Sequence, residues 1–218
     1  IQAAVDAGVN TIDTAAVYGK GHSERVVGKA VGERRPQVVI ATKVFANELQ
    51  YDQVIAACER SLANLQTDYI DLYFVHGIYR IDELDPSTRT WAEKAKAAGK
   101  IRLFGFSTHS NMEECLLKGA KLGWIDGIMM AYNYRLMHSD DMRRAVDACV
   151  NAGIGLTAMK TQGGGPVKSD SDTEIEMAGR FMQKGFTDHQ AKLMAVWEDK
   201  RIASICSQMP NLTIMATN

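Results

Sequence analysis

Cysteine is scarce in this sequence and nowhere clustered: Cys58, Cys115, Cys149 and Cys206 are widely separated and no two form a CxxC pair. That spacing argues against a zinc or iron–sulfur centre built from these four and against a disulfide scaffold. No metal site is expected, and the thiols read as reduced and buried. No apolar run approaches the roughly 18 residues that a membrane span needs. Neither sign of charge is in excess: 25 Lys and Arg oppose 26 Asp and Glu, for a formal net charge of -1. Without a basic surplus there is no electrostatic footprint for nucleic acid or for an anionic membrane. A signal peptide is missing, and the first residue is Ile1 rather than Met. The expectation is a cytoplasmic protein whose chain begins inside a longer product. Nothing in the sequence speaks to its oligomeric state.

What is present is a regular alternation of short apolar runs and amphipathic stretches. Apolar residues make up 46% of 218 residues, enough for one substantial core. Strands are expected over 9–14, 38–42, 70–75, 101–106, 127–131, 154–158 and 202–206. Helices are expected over 23–31, 52–65, 86–98, 111–122, 139–151, 174–183 and 188–199, with 1–7 as the tail of another. Ser23 and Asp85 suit N-caps, and Gly8, Gly32, Gly99 and Gly153 suit helix ends. The Ser- and Asp-rich stretch 168–174 reads as a mobile loop. Strict alternation implies an α/β protein with a parallel sheet and helices outside it. No glycine-rich dinucleotide fingerprint follows the first strand, which favours a closed TIM-type (β/α)8 barrel over an open sheet. Seven strands and a length below the roughly 250 residues usual for that fold imply either a first strand missing from this chain or a barrel open at that edge. The expected organisation is one barrel domain over residues 1–218, incomplete at both ends.

In such barrels the chemistry gathers where strands end. Asp13, Lys43 and His76 close three successive strands, and Tyr18 lies on the loop after the first. Singly, each has an ordinary reading: a turn cap, a packed aromatic, a solvated strand end, a structural histidine. Together they put four reactive side chains where one pocket must lie.

The residues that carry these positions resemble the aldo/keto reductases. The stretch Asn10-Thr11-Ile12-Asp13-Thr14-Ala15 through Tyr18-Gly19, followed by Gly21-His22-Ser23-Glu24, is similar to that family's signature. So are Ala41-Thr42-Lys43, the run from Leu65 to Tyr73 that leads to His76, Ala98-Gly99-Lys100-Ile101-Arg102, and Gly105-Phe106-Ser107. The resemblance implies a catalytic tetrad of Asp13, Tyr18, Lys43 and His76, an NADP cofactor or NAD in its place, and a small carbonyl substrate. Tyr18 would give a proton to the developing alkoxide. Lys43 would make it a stronger acid, because a unit charge at ~4 Å and an effective dielectric near 20 is worth ~4 kcal/mol. Asp13 would hold Lys43 charged, and His76 would orient the carbonyl.

The same resemblance assigns cofactor contacts to later strand ends. Ser107 and Thr108 would hold the nicotinamide carboxamide, with Met129 near a third position. Met159 stands where an aromatic usually stacks on the nicotinamide. Gly163 and Gly164, with Gly165, would let the backbone approach the pyrophosphate, or else form a flexible loop. Ser207 and Gln208 fall where the adenosine 2'-phosphate is held, in a segment without Arg or Lys. Phe45, Tyr79, Tyr132 and Tyr134 are candidate substrate walls. The second half more closely resembles a less-characterised bacterial branch, some members of which carry a C-terminal iron–sulfur cluster. The expected function is NAD(P)H-dependent reduction of aldehydes or ketones to alcohols. The alternative is a nucleotide-binding or regulatory relative with little or no turnover.

Overall fold

The computed structural model describes residues 1–45, 51–84 and 86–218. Asp85, expected as an N-cap, lies outside the described residues. Among the described residues, seven strands pair in parallel and in chain order: β1 (Thr11–Asp13), β2 (Val39–Phe45), β3 (Ile70–His76), β4 (Ile101–Thr108), β5 (Gly127–Ala131), β6 (Gly155–Met159) and β7 (Ser204–Ile205). Helices α1 (Gln2–Asp6), α2 (His22–Val31), α3 (Tyr51–Leu65), α4 (Pro86–Ala97), α5 (Met112–Gly119), α6 (Asp140–Asn151), α7 (Asp172–Met182), α8 (Asp188–Trp197) and α9 (Leu212–Thr217) alternate with them. The result is a nearly closed (β/α) barrel that supplies seven of the eight strands of the TIM-type fold. Among the described residues, no helix is long and apolar enough to cross a membrane.

The strands are largely apolar on both faces because most of both faces is buried. The outward set packs under the helices: Tyr73 of β3 meets Trp91 of α4 at 5.5 Å between ring centroids, and Trp91 meets Phe104 of β4 at 5.7 Å. The inward set is smaller and fills the barrel with Ala41, Phe74 and Met129, against which Leu72, Met159 and Cys206 pack. Successive strand residues face opposite sides. Register therefore puts Lys43 beside Phe74, Phe74 beside Gly105, and Gly105 beside Gly127 in one inward row. Gly105 is obligatory there, since a Cβ would lie 1.7 Å from the Gly127 carbonyl oxygen.

Several local expectations are corrected. β2 continues through Phe45, so Lys43 sits inside a strand rather than at its end. Gly21, with φ of 81°, is the N-cap of α2, and the Ser23 hydroxyl instead accepts from Thr14 Oγ1 at 2.8 Å. The stretch expected as a mobile loop is anchored. The Asp170 carboxylate takes the Arg135 guanidinium and, at 2.7 Å, the Tyr134 hydroxyl. Ser171 then forms a capping box with Glu174 at the start of α7. Helix α9, absent from the expected elements, is capped by the Asn211 side chain, which accepts the Ile214 N–H.

Candidate active site

Strand alternation decides which side chains can share a pocket. Counting by twos along each strand, Asp13, Lys43, Phe45, His76, Ser107, Met129 and Met159 all fall on the inward face near the C-terminal ends. Thr42 and Thr108 fall on the other face. Thr42 Oγ1 donates to the buried Glu24 of α2 at 2.7 Å. Thr108 Oγ1 is committed to the Ser110 carbonyl at 2.8 Å. Thr108 is therefore not part of the inward constellation, contrary to expectation.

At the mouth, Lys43 Nζ lies 2.5 Å from Asp13 Oδ1 and donates to the Thr14 carbonyl at 2.8 Å. Its side chain is 2% exposed. The same ammonium stands 5.4 Å from the centre of the Tyr18 ring. Tyr18 meets His76 edge-on with centroids 5.9 Å apart, and Phe45 stacks on His76 at 5.2 Å and 9°. The four tetrad residues are thus brought together, with Phe45 as one aromatic wall. Tyr18 is 43% exposed and Phe45 42%, so the site opens to solvent.

The electrostatics differ from the sequence expectation in one respect. Tyr18 is shifted up from 10.0, not down. Burial is the largest cause, followed by the negative charge of Asp13. The Lys43 charge is offset by Asp13 at 2.5 Å, so it does not pull Tyr18 down and desolvation prevails. Burial also raises Asp13, against the pull of Lys43. His76 is lowered to about 4 by burial, then by the charges of Lys43 and His109. Its imidazole is neutral at pH 7, and among the described residues its buried Nδ1 has no hydrogen-bond partner.

The later strand ends contribute unevenly. Ser107 is buried, and its Oγ accepts the Gly77 N–H at 2.9 Å. Met129 is enclosed within the barrel and Met159 packs beside it. Gly163, Gly164 and Gly165 all adopt left-handed φ values of 62–64°. Arg135 donates to the Gly163 and Gly164 carbonyls, and Lys192 donates to that of Gly165. The glycine loop is thereby braced rather than loose. Ser207 Oγ accepts from Gln162 at 3.5 Å and from Asn218 at 3.0 Å, and Gln208 is exposed. Tyr132 and Tyr134 are fully buried, with hydroxyls on Asp199 and Asp170, so they are packing residues and not substrate walls. Tyr79 is 63% exposed. Cys206 was overlooked as a site neighbour. Burial and the charge of Asp13 push its thiol up to about 12. Its place at the end of the last strand was the available signal. Among the described residues, no group of three or more His, Cys, Asp or Glu could hold a metal ion.

The comparisons bear on this arrangement. Aldo-keto reductase YhdN of Bacillus subtilis is 46% identical over 123 residues, 50% of this chain and 36% of that protein. Methylglyoxal reductase YeaE of Escherichia coli is 38% identical over 118 residues, 52% of this chain and 40% of that protein. The chain thus spans well under half the length of these relatives. An aldo/keto reductase from Klebsiella pneumoniae, solved with NADP and acetate, superposes with a TM-score of 0.80 at 26% identity. The match covers 100% of this chain and 76% of that one. The model of the aldo/keto reductase family matches residues 1–209. With that match over nearly its whole length, the chain belongs to the aldo/keto reductase family.

Proposed function

We propose that this protein reduces the carbonyl of an aldehyde or ketone to an alcohol with a reduced nicotinamide dinucleotide. The observation that carries the reading is the convergence of Tyr18, His76 and the Lys43–Asp13 pair on one barrel mouth. NADP is the favoured cofactor, with NAD as the alternative, because the Klebsiella pneumoniae relatives were solved with NADP or NADPH. When bound, the cofactor supplies a hydride to the carbonyl carbon.

The chain's own residues would do the rest. Tyr18 gives its phenolic proton to the carbonyl oxygen as negative charge builds there, and its raised pKa keeps that proton in place at neutral pH. Neutral His76 hydrogen-bonds the same oxygen and fixes the carbonyl's orientation. Lys43, held by Asp13, stabilises the tyrosinate left behind. Phe45 excludes water from one side of the imidazole. The cofactor fits one feature of the buried wall. Ser107 is enclosed, yet among the described residues its O–H has no acceptor, which suits a carboxamide oxygen. Met159 would pack beside the ring, and Gly163, Gly164, Ser207 and Gln208 would line the path of the phosphates and ribose.

The test is NADPH and NADH oxidation with a panel of aldehydes and ketones, together with cofactor titration by fluorescence. Turnover supports the proposal. Tight cofactor binding with no turnover on any carbonyl favours the regulatory reading, and failure of both cofactors to bind overturns both.

A further inference from the structure

Ser107 reaches from the end of β4 to the segment that follows β3 in two ways. Its carbonyl accepts the Ile78 N–H at 2.9 Å, and its Oγ accepts the Gly77 N–H at 2.9 Å. Gly77 turns through a left-handed φ of 70° immediately after His76. The ladder between β3 and β4 ends at the pair Val75 and Phe106, one residue before His76. On this side, then, Ser107 fixes the chain as it leaves His76. The imidazole has stacking neighbours, but its buried Nδ1 has no hydrogen bond among the described residues. No hydrogen bond at Nδ1 fixes its aim among the described residues, so its backbone shares that task with the stacking. A serine hydroxyl has one donor and two acceptor lone pairs. Here one lone pair is spent on Gly77 and, among the described residues, the O–H has no acceptor.

We propose that Ser107 is a positioning residue for His76, latching the Gly77–Ile78 turn so that the imidazole faces the carbonyl. The kinetic half of this inference rests on the reductase reading; the structural half does not. Cofactor binding and substrate orientation then share one hydroxyl, whose lone pair holds Gly77 while its proton serves the carboxamide.

The test compares Ser107→Ala with Ser107→Thr, which keeps the hydroxyl. Two quantities are read: amide exchange at Gly77 without cofactor, and the carbonyl KM at saturating NADPH. Ser107→Ala is expected to speed Gly77 exchange about tenfold, the loss of one hydrogen bond, and to raise the carbonyl KM severalfold. Ser107→Thr is expected to restore both. A serine that acts on the cofactor alone would weaken NADPH binding and leave Gly77 exchange and carbonyl KM unchanged; that result overturns the proposal. Faster exchange with unchanged KM overturns it as well. If the parent protein oxidises no NADPH, the reductase reading fails, and the exchange comparison still decides the latch. Should Ser107→Ala not fold, Ser107→Cys, with a weakly accepting thiol, gives the same comparison.

Discussion

The Lys43 ammonium and the Asp13 carboxylate lie 2.5 Å apart and tie β2 to β1 at the mouth of the barrel. Lys43 is almost completely enclosed, so removing either partner leaves a charge with poor access to water. Lys43→Met or Asp13→Leu alone should destabilise the fold by about 3 kcal/mol, and the double variant should recover much of that loss. Urea denaturation of the three variants checks this. Single variants as stable as the parent would show that the pair is solvated.

Tyr18 must be protonated to donate, and its pKa is raised from 10.0. The alkaline limb of the kcat profile for carbonyl reduction should therefore lie above pH 10, with a flat rate through neutrality. An alkaline limb between pH 7 and 9 would mean that Lys43 wins over burial and Asp13.

His76 carries the opposite sign. Its folded pKa is about 4 against 6.5 for the free side chain. Between those values the unfolded chain binds more protons, so stability rises with pH across the window. The contribution is complete above about 6.5 and is lost as pH falls through about 4. Replacing the imidazole in His76→Gln should flatten the stability profile from pH 6.5 to 4, as measured by denaturation at several pH values. An unchanged slope would assign the acid sensitivity elsewhere.

Gly105 and Gly164 should respond very differently to alanine. At Gly105 a Cβ would collide with the Gly127 backbone, whereas at Gly164 nothing lies within 4 Å and only the φ of 63° is unfavourable. Gly105→Ala should cost more than about 4 kcal/mol and Gly164→Ala about 1–2 kcal/mol. Thermal melts of both variants measure the difference, and equal losses would contradict the strand spacing between β4 and β5.

The parallel barrel was legible because its signals are local. Val38 to Thr42 and, apart from Asp71, Ile70 to Val75 are short apolar runs, and α6 begins one residue after its expected start, with Ser139 accepting the Met142 N–H as its cap. The grouping of Asp13, Tyr18, Lys43 and His76 was legible because three of them lie at or near the ends of successive strands and Tyr18 on the loop after the first. What escaped depends on direction and partners. Thr108 follows Ser107 in sequence, but period-two alternation turns it to the opposite face of β4. Tyr132 and Tyr134 lie near the mouth yet point into the helix layer, because Asp199 and Asp170 wait there for their hydroxyls. The polar stretch at Asp170 reads as a loop until Arg135, 35 residues earlier, is seen to hold it. The direction of the Tyr18 shift needed the depth of burial and the nearness of Asp13, which no spacing encodes.

The central claim is that Tyr18 is the proton donor of a carbonyl reductase. The most direct measurement is kcat for aldehyde reduction in the parent protein and in Tyr18→Phe, with the NADPH dissociation constant of each. The account predicts a fall in kcat of about 10²–10⁴-fold with little change in cofactor affinity. Reduction at near-parental rates by Tyr18→Phe would contradict it.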